Sequence, residues 1–337
     1  MQDTIILLAH GAGGLKSAEL TQELFLPSYT NATLRQLADA AVIEHDGVRL
    51  AFTTDAFVID PVIFPGGDIG KLSICGTVND LAAAGATPLA LSVAFILEEG
   101  LPIALLRQIV DSMGKTAAEV GVPIVAGDTK VVPRGSADKL FITTSGIGVV
   151  PAGLPAPAPN RAVPGDLVLI SGTIADHGMA VMTSREGLEF STTIHSDCAP
   201  LAGLVAALRE AEPDIHCLRD PTRGGVAAVL NELAIASGVL IEIEETAIPI
   251  AANTRVACEL LGIDPLHVAN EGKMIAIVPA ASADAALAAW RRHPYGVGAA
   301  CIGRVLPAPA GRVHLRTALG SARILDIPAG DLLPRIC

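Results

Sequence analysis

The chain has 337 residues, 51% of them hydrophobic but only 3% aromatic, with a formal net charge of −12. That length suits two domains of ordinary size, and the acidic balance argues against nucleic acid or an anionic membrane as partner. Nucleotides stay open, because backbone amides, Mg²⁺ and a few basic side chains can meet their phosphates.

Ala, Val, Leu, Ile and Gly must do the packing, which suits an α/β (α+β) architecture of closely packed helices and sheets. The longest suspicious apolar stretch, Leu81 to Leu97, is too short for a membrane span and is broken by Gly85 and Pro88. The N-terminus lacks a basic region followed by an apolar core, so a cytoplasmic location is expected. Six cysteines without a Cys-x-x-Cys pair argue against a disulfide framework. His195, Cys198, His216 and Cys217 match no standard zinc spacing, and Cys75, in an apolar run, reads as a small core residue.

Thr4 to Ala9 (TIILLA) reads as a short strand leading into His10-Gly11-Ala12-Gly13-Gly14. Clustered glycines after a strand can turn successive N–H groups toward an anion. It is not a P-loop, since Leu15 separates the glycines from Lys16, and an ordinary turn remains an alternative. Ser28 to Ala41 is polar with some helical character. Asp46-Gly47 between apolar runs predicts a hairpin, with the second strand ending at Thr54-Asp55. After a loop, Ile69 to Gly85 is helix-like and carries Asn79-Asp80. Leu89 to Leu97 is a predicted strand, Pro102 to Val120 a helix stopped by Gly121. Pro123 to Ala126 is a predicted buried strand ending at Gly127-Asp128-Thr129-Lys130, and Leu140 to Val150 a further strand.

Asp55, Asp80 and Asp128 stand out, each beside small residues. Carboxylates gathered in space repel unless a cation compensates them, and Mg²⁺ with a triphosphate would do so. Three unrelated caps and turns are the other reading of the same spacing.

Pro151 to Pro159 is proline-rich and stiff, and marks the domain boundary. The expected divisions are 1–155 for an ATP-binding and dimerisation domain, 156–315 for an α/β domain, and 316–337 for a flexible tail. The second part opens with a strand, Leu167 to Ser171. Helices follow at Ile174 to Ser184, Pro200 to Ala211 and Val226 to Ser237, the last preceded by Asp220-Pro221-Thr222-Arg223-Gly224-Gly225. Asp or Thr there would cap the helix, and with Arg223 its start is a second candidate phosphate site. Leu240 to Ile243 is a strand, Asn253 to Leu261 a helix, Met274 to Val278 a strand preceded by Asn270-Glu271-Gly272-Lys273, Ala281 to Arg292 a helix and Ile302 to Val305 a strand. Gly330 to Pro334 reads as an extended arm. It ends on Cys337, a thiol on a chain end free to visit several sites.

These blocks resemble the HypE family of hydrogenase maturation carbamoyl dehydratases. The resemblance is carried by Thr54 to Pro61 (TDAFVIDP), Phe64 to Lys71 (FPGGDIGK), Gly76 to Leu89 (GTVNDLAAAGATPL) and His10 to Gly14 (HGAGG). It continues through Ala126 to Val131 (AGDTKV), Arg219 to Gly225 (RDPTRGG), Ala269 to Gly272 (ANEG) and the closing Pro334 to Cys337 (PRIC). The middle blocks are similar to those of the wider PurM-like superfamily of aminoimidazole ribonucleotide synthetase, selenophosphate synthetase and thiamine-phosphate kinase. The final four residues are the specific part.

The resemblance implies a two-domain PurM-like fold whose N-terminal sheets pair across a homodimer into a barrel. It implies ATP and Mg²⁺ held near Asp55, Asp80 and Asp128, with Gly11, Gly13, Gly14, Lys71, Asn79 and Arg223 as further nucleotide-binding candidates. It also implies a carbamoyltransferase that loads Cys337, and an iron-scaffold complex of two maturation proteins that accepts cyanide. The chemistry is consistent with this. A thiocarbamate loses water once its oxygen has received the γ-phosphoryl group and a base has removed the N–H protons. Lys130 and Glu271 are the candidate bases, with His10 a further one. Lys130 would have to be neutral, through burial or cationic neighbours. Two rivals remain. The first is another ATP-using superfamily member, a selenophosphate or purine-type synthetase; selenophosphate synthetase would want a reactive cysteine near the N-terminus, and none precedes Cys75. A scaffold with a docking tail would release no phosphate.

Overall fold

The computed structural model describes residues 3–29, 31–153, 155–187, 193–212, 214–327 and 335–337. The expected extended arm at 330–334 lies outside the described residues.

A 3₁₀ turn (Leu8–Gly11) precedes α1 (Leu15–Leu20), which continues through a π-helical turn (Thr21–Phe25) into α2 (Leu26–Tyr29). The strand predicted over Thr4 to Ala9 does not form. Ile5, Ile6 and Leu8 are each about 70% exposed, and a lone apolar run without a sheet edge beside it has no ladder to join. The predicted hairpin is present as β1 (Ala41–His45) and β2 (Val48–Phe57). Asp46 and Gly47 both take positive φ, 48° and 78°, as a two-residue turn matched to strand twist requires. β2 runs past Asp55 to Phe57 rather than stopping there.

A small hairpin, β3 (Ile63–Phe64) and β4 (Gly67–Asp68), leads into α3 (Ile69–Ala83). Asp68 caps this helix, accepting from the N–H groups of Gly70 and Lys71 at 2.7 and 3.0 Å. Apart from Lys71, Asn79 and Asp80, α3 is made of apolar or small residues and nearly all of it is buried, so it is a central helix. Gly76 has no side chain because a Cβ there would meet the Phe57 ring at 2.8 Å. β5 (Thr87–Glu98), α4 (Ile103–Val120), β6 (Ile124–Val132) and β7 (Leu140–Val150) complete the first layer. Gly121 ends α4 at φ 75°.

Among the described residues the first sheet has the order β1-β2-β7-β5-β6. The sequence predicts a buried strand over Pro123 to Ala126 that ends at Gly127-Asp128-Thr129-Lys130. β6 is instead a continuous edge strand exposed along almost its whole length, with Asp128 and Lys130 inside it. An edge strand has neighbours on one side only, and sequence alone does not distinguish it from a central one.

The second sheet has the order β14-β13-β10-β12-β8-β11-β9. Its strands are β8 (Leu167–Ile170), β9 (Cys217–Arg219), β10 (Leu240–Glu244), β11 (Ile275–Val278), β12 (Ala300–Leu306), β13 (Arg312–Arg316) and β14 (Ala322–Ile324). Neighbours are antiparallel except β10 and β13. The helices of this part are α5 (Asp176–Arg185), α6 (Ala202–Ala211), α7 (Gly225–Ser237), α8 (Ala252–Leu261) and α9 (Ala283–Arg292). No helix among the described residues is long and apolar enough to cross a membrane.

One apolar core joins the two parts. Ile69, Leu72 and Ile74 of α3 belong to the same buried cluster as Ile170, Met179 and Val226. Each fully buried aliphatic side chain contributes roughly 1.5–3 kcal/mol. Asn79 adds a polar tie: its amide donates to the carbonyls of Ala199 (3.1 Å) and Glu271 (3.4 Å) and accepts from Leu201 N–H (2.7 Å).

Candidate active site

Where α3, β2 and the start of α7 meet, a small cleft is lined by Asp55, Asp80, Asp220, Arg223, Glu271 and Cys337 among others. The local sequence explains each position. Asp55 lies on the inward face of β2, two residues from buried Thr53 and Phe57, because strand side chains alternate. Asp80 sits one turn after Thr77 on α3. Thr77 donates to Asp55 Oδ2 at 2.9 Å, and Thr53 donates to Asp80 Oδ2 at 2.8 Å. Arg223 is carried on the glycine turn ahead of α7, whose N-cap is Gly224 at φ 77°. The capping role expected of Asp220 or Thr222 therefore does not occur. Asp220 is buried and turned to the acids instead.

Asp39, Asp80 and Asp220 each present one oxygen, all within 4.8 Å of one another. Burial pushes the carboxyls of Asp39 and Asp80 well above the usual range. The neighbouring acids add to the rise at Asp80, while Arg219, 2.7 Å from Asp39, opposes it at Asp39. Burial lifts Asp220 to about 6, and Asp55 is raised for the same reason. The Oδ2 of Asp39 is buried without a hydrogen-bond partner. This is how a site looks when carboxylates are assembled for a cation. Asp39 and Asp220 were not among the sequence candidates. Asp39 lies in a polar stretch without periodic signal, and Asp220 was masked by the helix-cap pattern around it.

The last residues dock into this cleft. Ile336 is buried and forms a β-bridge with Ile59. Val58 N–H donates to the Cys337 carbonyl at 3.1 Å, and Asp60 N–H to the Arg335 carbonyl at 3.3 Å. The Cys337 residue keeps partial solvent access, but its sulfur faces the interior. Burial pushes the thiol up to about 12, against the opposing pull of Arg223. Glu271, buried beside it, is held well above the usual carboxylate range by burial and by neighbouring anionic groups. Its Oε1 has no hydrogen-bond partner.

The other sequence candidates are placed differently. Gly13 abuts Arg223: a Cβ there would lie 2.6 Å from Arg223 Cβ and 2.9 Å from its carbonyl oxygen. The glycine loop thus packs directly behind the cleft, with Gly14 at the N-cap of α1 and Gly11 in open space. His10 is buried in that loop, its Nδ1 accepting from Leu7 N–H at 2.9 Å, and does not line the cleft. Lys71 donates to the Gly66 carbonyl at 3.2 Å, and Asn79 is engaged in the tie described above. Neither lines the cleft.

Asp128 and Lys130 are not brought to the cleft within one chain. Asp128 stands in register with Ala94, then Thr143, then Ala56, so three strand spacings, about 14 Å, separate it from the Asp55 strand. Lys130 is exposed and pairs with Asp128 at 2.7 Å.

Residues 37–150 match the model of the AIR synthase related protein N-terminal domain, and 163–316 that of its C-terminal domain. The chain is 53% identical over 331 residues to carbamoyl dehydratase HypE of Cupriavidus necator, covering 98% of this chain and 94% of that protein. The crystal structure of hydrogenase maturation protein HypE in complex with ATP is 49% identical, with a TM-score of 0.84, covering 99% of this chain and 100% of that one. The crystal structure of a HypE–HypF complex gives a TM-score of 0.87 at 50% identity, covering 92% of this chain and 99% of that one.

Proposed function

The chain belongs to the carbamoyl dehydratase HypE family, and from that premise we propose that ATP drives dehydration of an S-carbamoyl group on Cys337 to a thiocyanate. This thiocyanate supplies the cyanide ligands of the iron centre of nickel–iron hydrogenase. The observation that carries the reading is the seat of Cys337 in one cleft with Asp55, Asp80, Asp220, Arg223 and Glu271.

The reaction R–S–C(=O)–NH₂ + ATP → R–S–C≡N + ADP + phosphate balances in two steps. The carbonyl oxygen takes the γ-phosphoryl group, ADP leaves and one N–H proton is lost. The second N–H proton then departs as the C–O bond breaks and phosphate is expelled. Catalysis of the first step is mainly positioning and charge stabilisation. Arg223, between Cys337 and the acids, is the cation placed to meet the transferred phosphoryl oxygens. Glu271 is the base: it adjoins Cys337 in the cleft, has a carboxylate oxygen without a hydrogen-bond partner, and burial raises its proton affinity above that of an ordinary carboxylate.

The oxygens of Asp39, Asp80 and Asp220 fit Mg²⁺, a hard cation that prefers a few carboxylates together with phosphate oxygens. Asp55, which lines the same cleft as Asp80 and Asp220, completes the set. Mg²⁺ would neutralise these acids and the triphosphate. The glycine loop at Gly11–Gly14 and the Arg223 turn form the nucleotide wall.

In this reading residues 1–155 form the nucleotide and dimerisation domain, 156–315 the domain supplying Glu271 and Arg223, and 316–337 the carrier tail. The uncovered face of the first sheet supports a homodimer: Phe52, Ile96 and Ile147, which share that face by strand register, are all exposed. A second copy covering it would bury apolar surface of the kind that marks an interface, and would give Asp128 and Lys130 of β6 a neighbouring cleft to face. Cys337 must also leave its seat to meet a carbamoyltransferase and an iron scaffold.

Mass spectrometry of S-carbamoylated protein tests the reading. Adding ATP should remove the mass of one water, and Cys337→Ala should bind nucleotide yet never carry the modification. An unchanged mass in the carbamoylated protein would reject the proposal.

A further inference from the structure

The docked tail is held from two sides. Val58 and Asp60 pair with its backbone from the first half of the chain. From the second half, His177 of α5 reaches the peptide immediately before the reactive cysteine, with Nε2 2.7 Å from the Ile336 carbonyl oxygen. His177 is fully buried, with the edge of one ring against the face of the other where it meets Phe64, at a centroid distance of 5.4 Å.

We propose that His177 is a positioning residue for the dehydration, a neutral imidazole whose Nε2–H seats the Ile336–Cys337 peptide so that the cysteine's burden lies between Arg223 and Glu271. The proton assignment follows from the partners. A carbonyl oxygen only accepts, so Nε2 must donate. Nδ1 must then accept, and the Ser196 hydroxyl, 2.8 Å away, donates to it. The Ser196 oxygen accepts in turn from Cys198 N–H at 3.0 Å, and Ser196 N–H donates to the Pro65 carbonyl at 2.8 Å. Every donor in this chain meets an acceptor, so the tautomer is fixed from both ends.

The neighbouring residue of the same turn links this seat to the base. Asp197 Oδ1 accepts from Glu271 N–H at 3.1 Å, and Asp197 Oδ2 pairs with Lys273 at 3.1 Å. The Ser196–Cys198 segment therefore contacts the tail through His177 and the base through Asp197. Such shared support holds two reacting groups in register.

The inference rests on Cys337 carrying the reacting group, so the test reads the bare thiol and the reaction separately. Compare wild type, His177→Phe, which keeps the ring shape and removes the donor, and His177→Gln, whose amide N–H can replace Nε2–H. With unmodified protein, measure iodoacetamide labelling of the Cys337 peptide; with carbamoylated protein, measure single-turnover water loss under saturating ATP. His177→Phe should speed labelling and slow water loss, each about tenfold, as expected from losing a buried hydrogen bond. Its ATP affinity should stay at the wild-type value, and His177→Gln should recover most of both rates. Wild-type rates for His177→Phe in both assays overturn the seat. If carbamoylated wild type loses no water while His177→Phe still labels faster, the dehydration reading fails and the seat stands. Imidazole ¹⁵N shifts in the unmutated protein decide the matter without any variant: an Nδ1–H tautomer for His177 overturns the inference.

Discussion

Removing the charge at Asp220 should stabilise the cation-free protein while abolishing its activity. Asp220 is buried beside Asp39 and Asp80 and is lifted from its ordinary 3.8 to about 6, chiefly by burial. A folded-state carboxyl raised in this way keeps its proton longer than the unfolded chain does. Its contribution is fully present below about pH 4 and lost as pH rises through about 6. By pH 7.5 the difference corresponds to roughly 3 kcal/mol, an upper figure because neighbouring groups relax. Asn keeps the shape and never ionises, so Asp220→Asn in EDTA should gain about 1–3 kcal/mol at pH 7.5 and almost nothing at pH 4. Thermal unfolding across that range measures the gain. In parallel, Mg²⁺ should stabilise wild type by mass action but not the variant, and phosphate release from ATP should fall by at least about 100-fold. A variant no more stable than wild type at pH 7.5, or one still stabilised by Mg²⁺, would refute the view of these carboxylates as a strained cation site.

Gly13→Ala places a methyl group 2.6 Å from Arg223 Cβ at a position with φ 73°; it should cost about 1–3 kcal/mol and slow ATP turnover at least about tenfold, and unchanged turnover would detach the loop from the cleft. The Cys337 thiol is pushed up to about 12, so the docked form holds its proton and docking weakens up to about tenfold per pH unit above about 9. Labelling of Cys337 should therefore keep climbing beyond pH 9.5, whereas a plateau near 9 would mean that the thiol is not enclosed. Lysine at both Ile96 and Ile147, which are 41% and 38% exposed on the uncovered face of the first sheet, should shift the protein to monomer in light scattering without lowering its melting temperature; an unchanged dimer would move the contact elsewhere.

Much of the local structure was legible in the chain. Asp46-Gly47 names its hairpin because few residues accept positive φ, and Gly121 marks the end of α4 for the same reason. The motifs also single out Asp55, Asp80, Arg223, Glu271 and Cys337 as candidates, but not their meeting in one cleft.

What the linear order could not decide was proximity. Asp39 and Asp220 join the acids only because β1, α3 and the α7 turn converge, and neither sits in a pattern of its own. Asp128 looked equivalent to Asp55 by its strand-then-acid context, yet sheet order puts it three strands away on an exposed edge. Asn79 read as a nucleotide ligand and proved to tie the two parts together, because a buried amide takes whatever backbone partners surround it. Sequence determines which residues can do the chemistry, through side-chain type and backbone propensity. Which of them share a pocket, and how far burial shifts their proton affinities, depends on long-range packing, a property of the assembled fold.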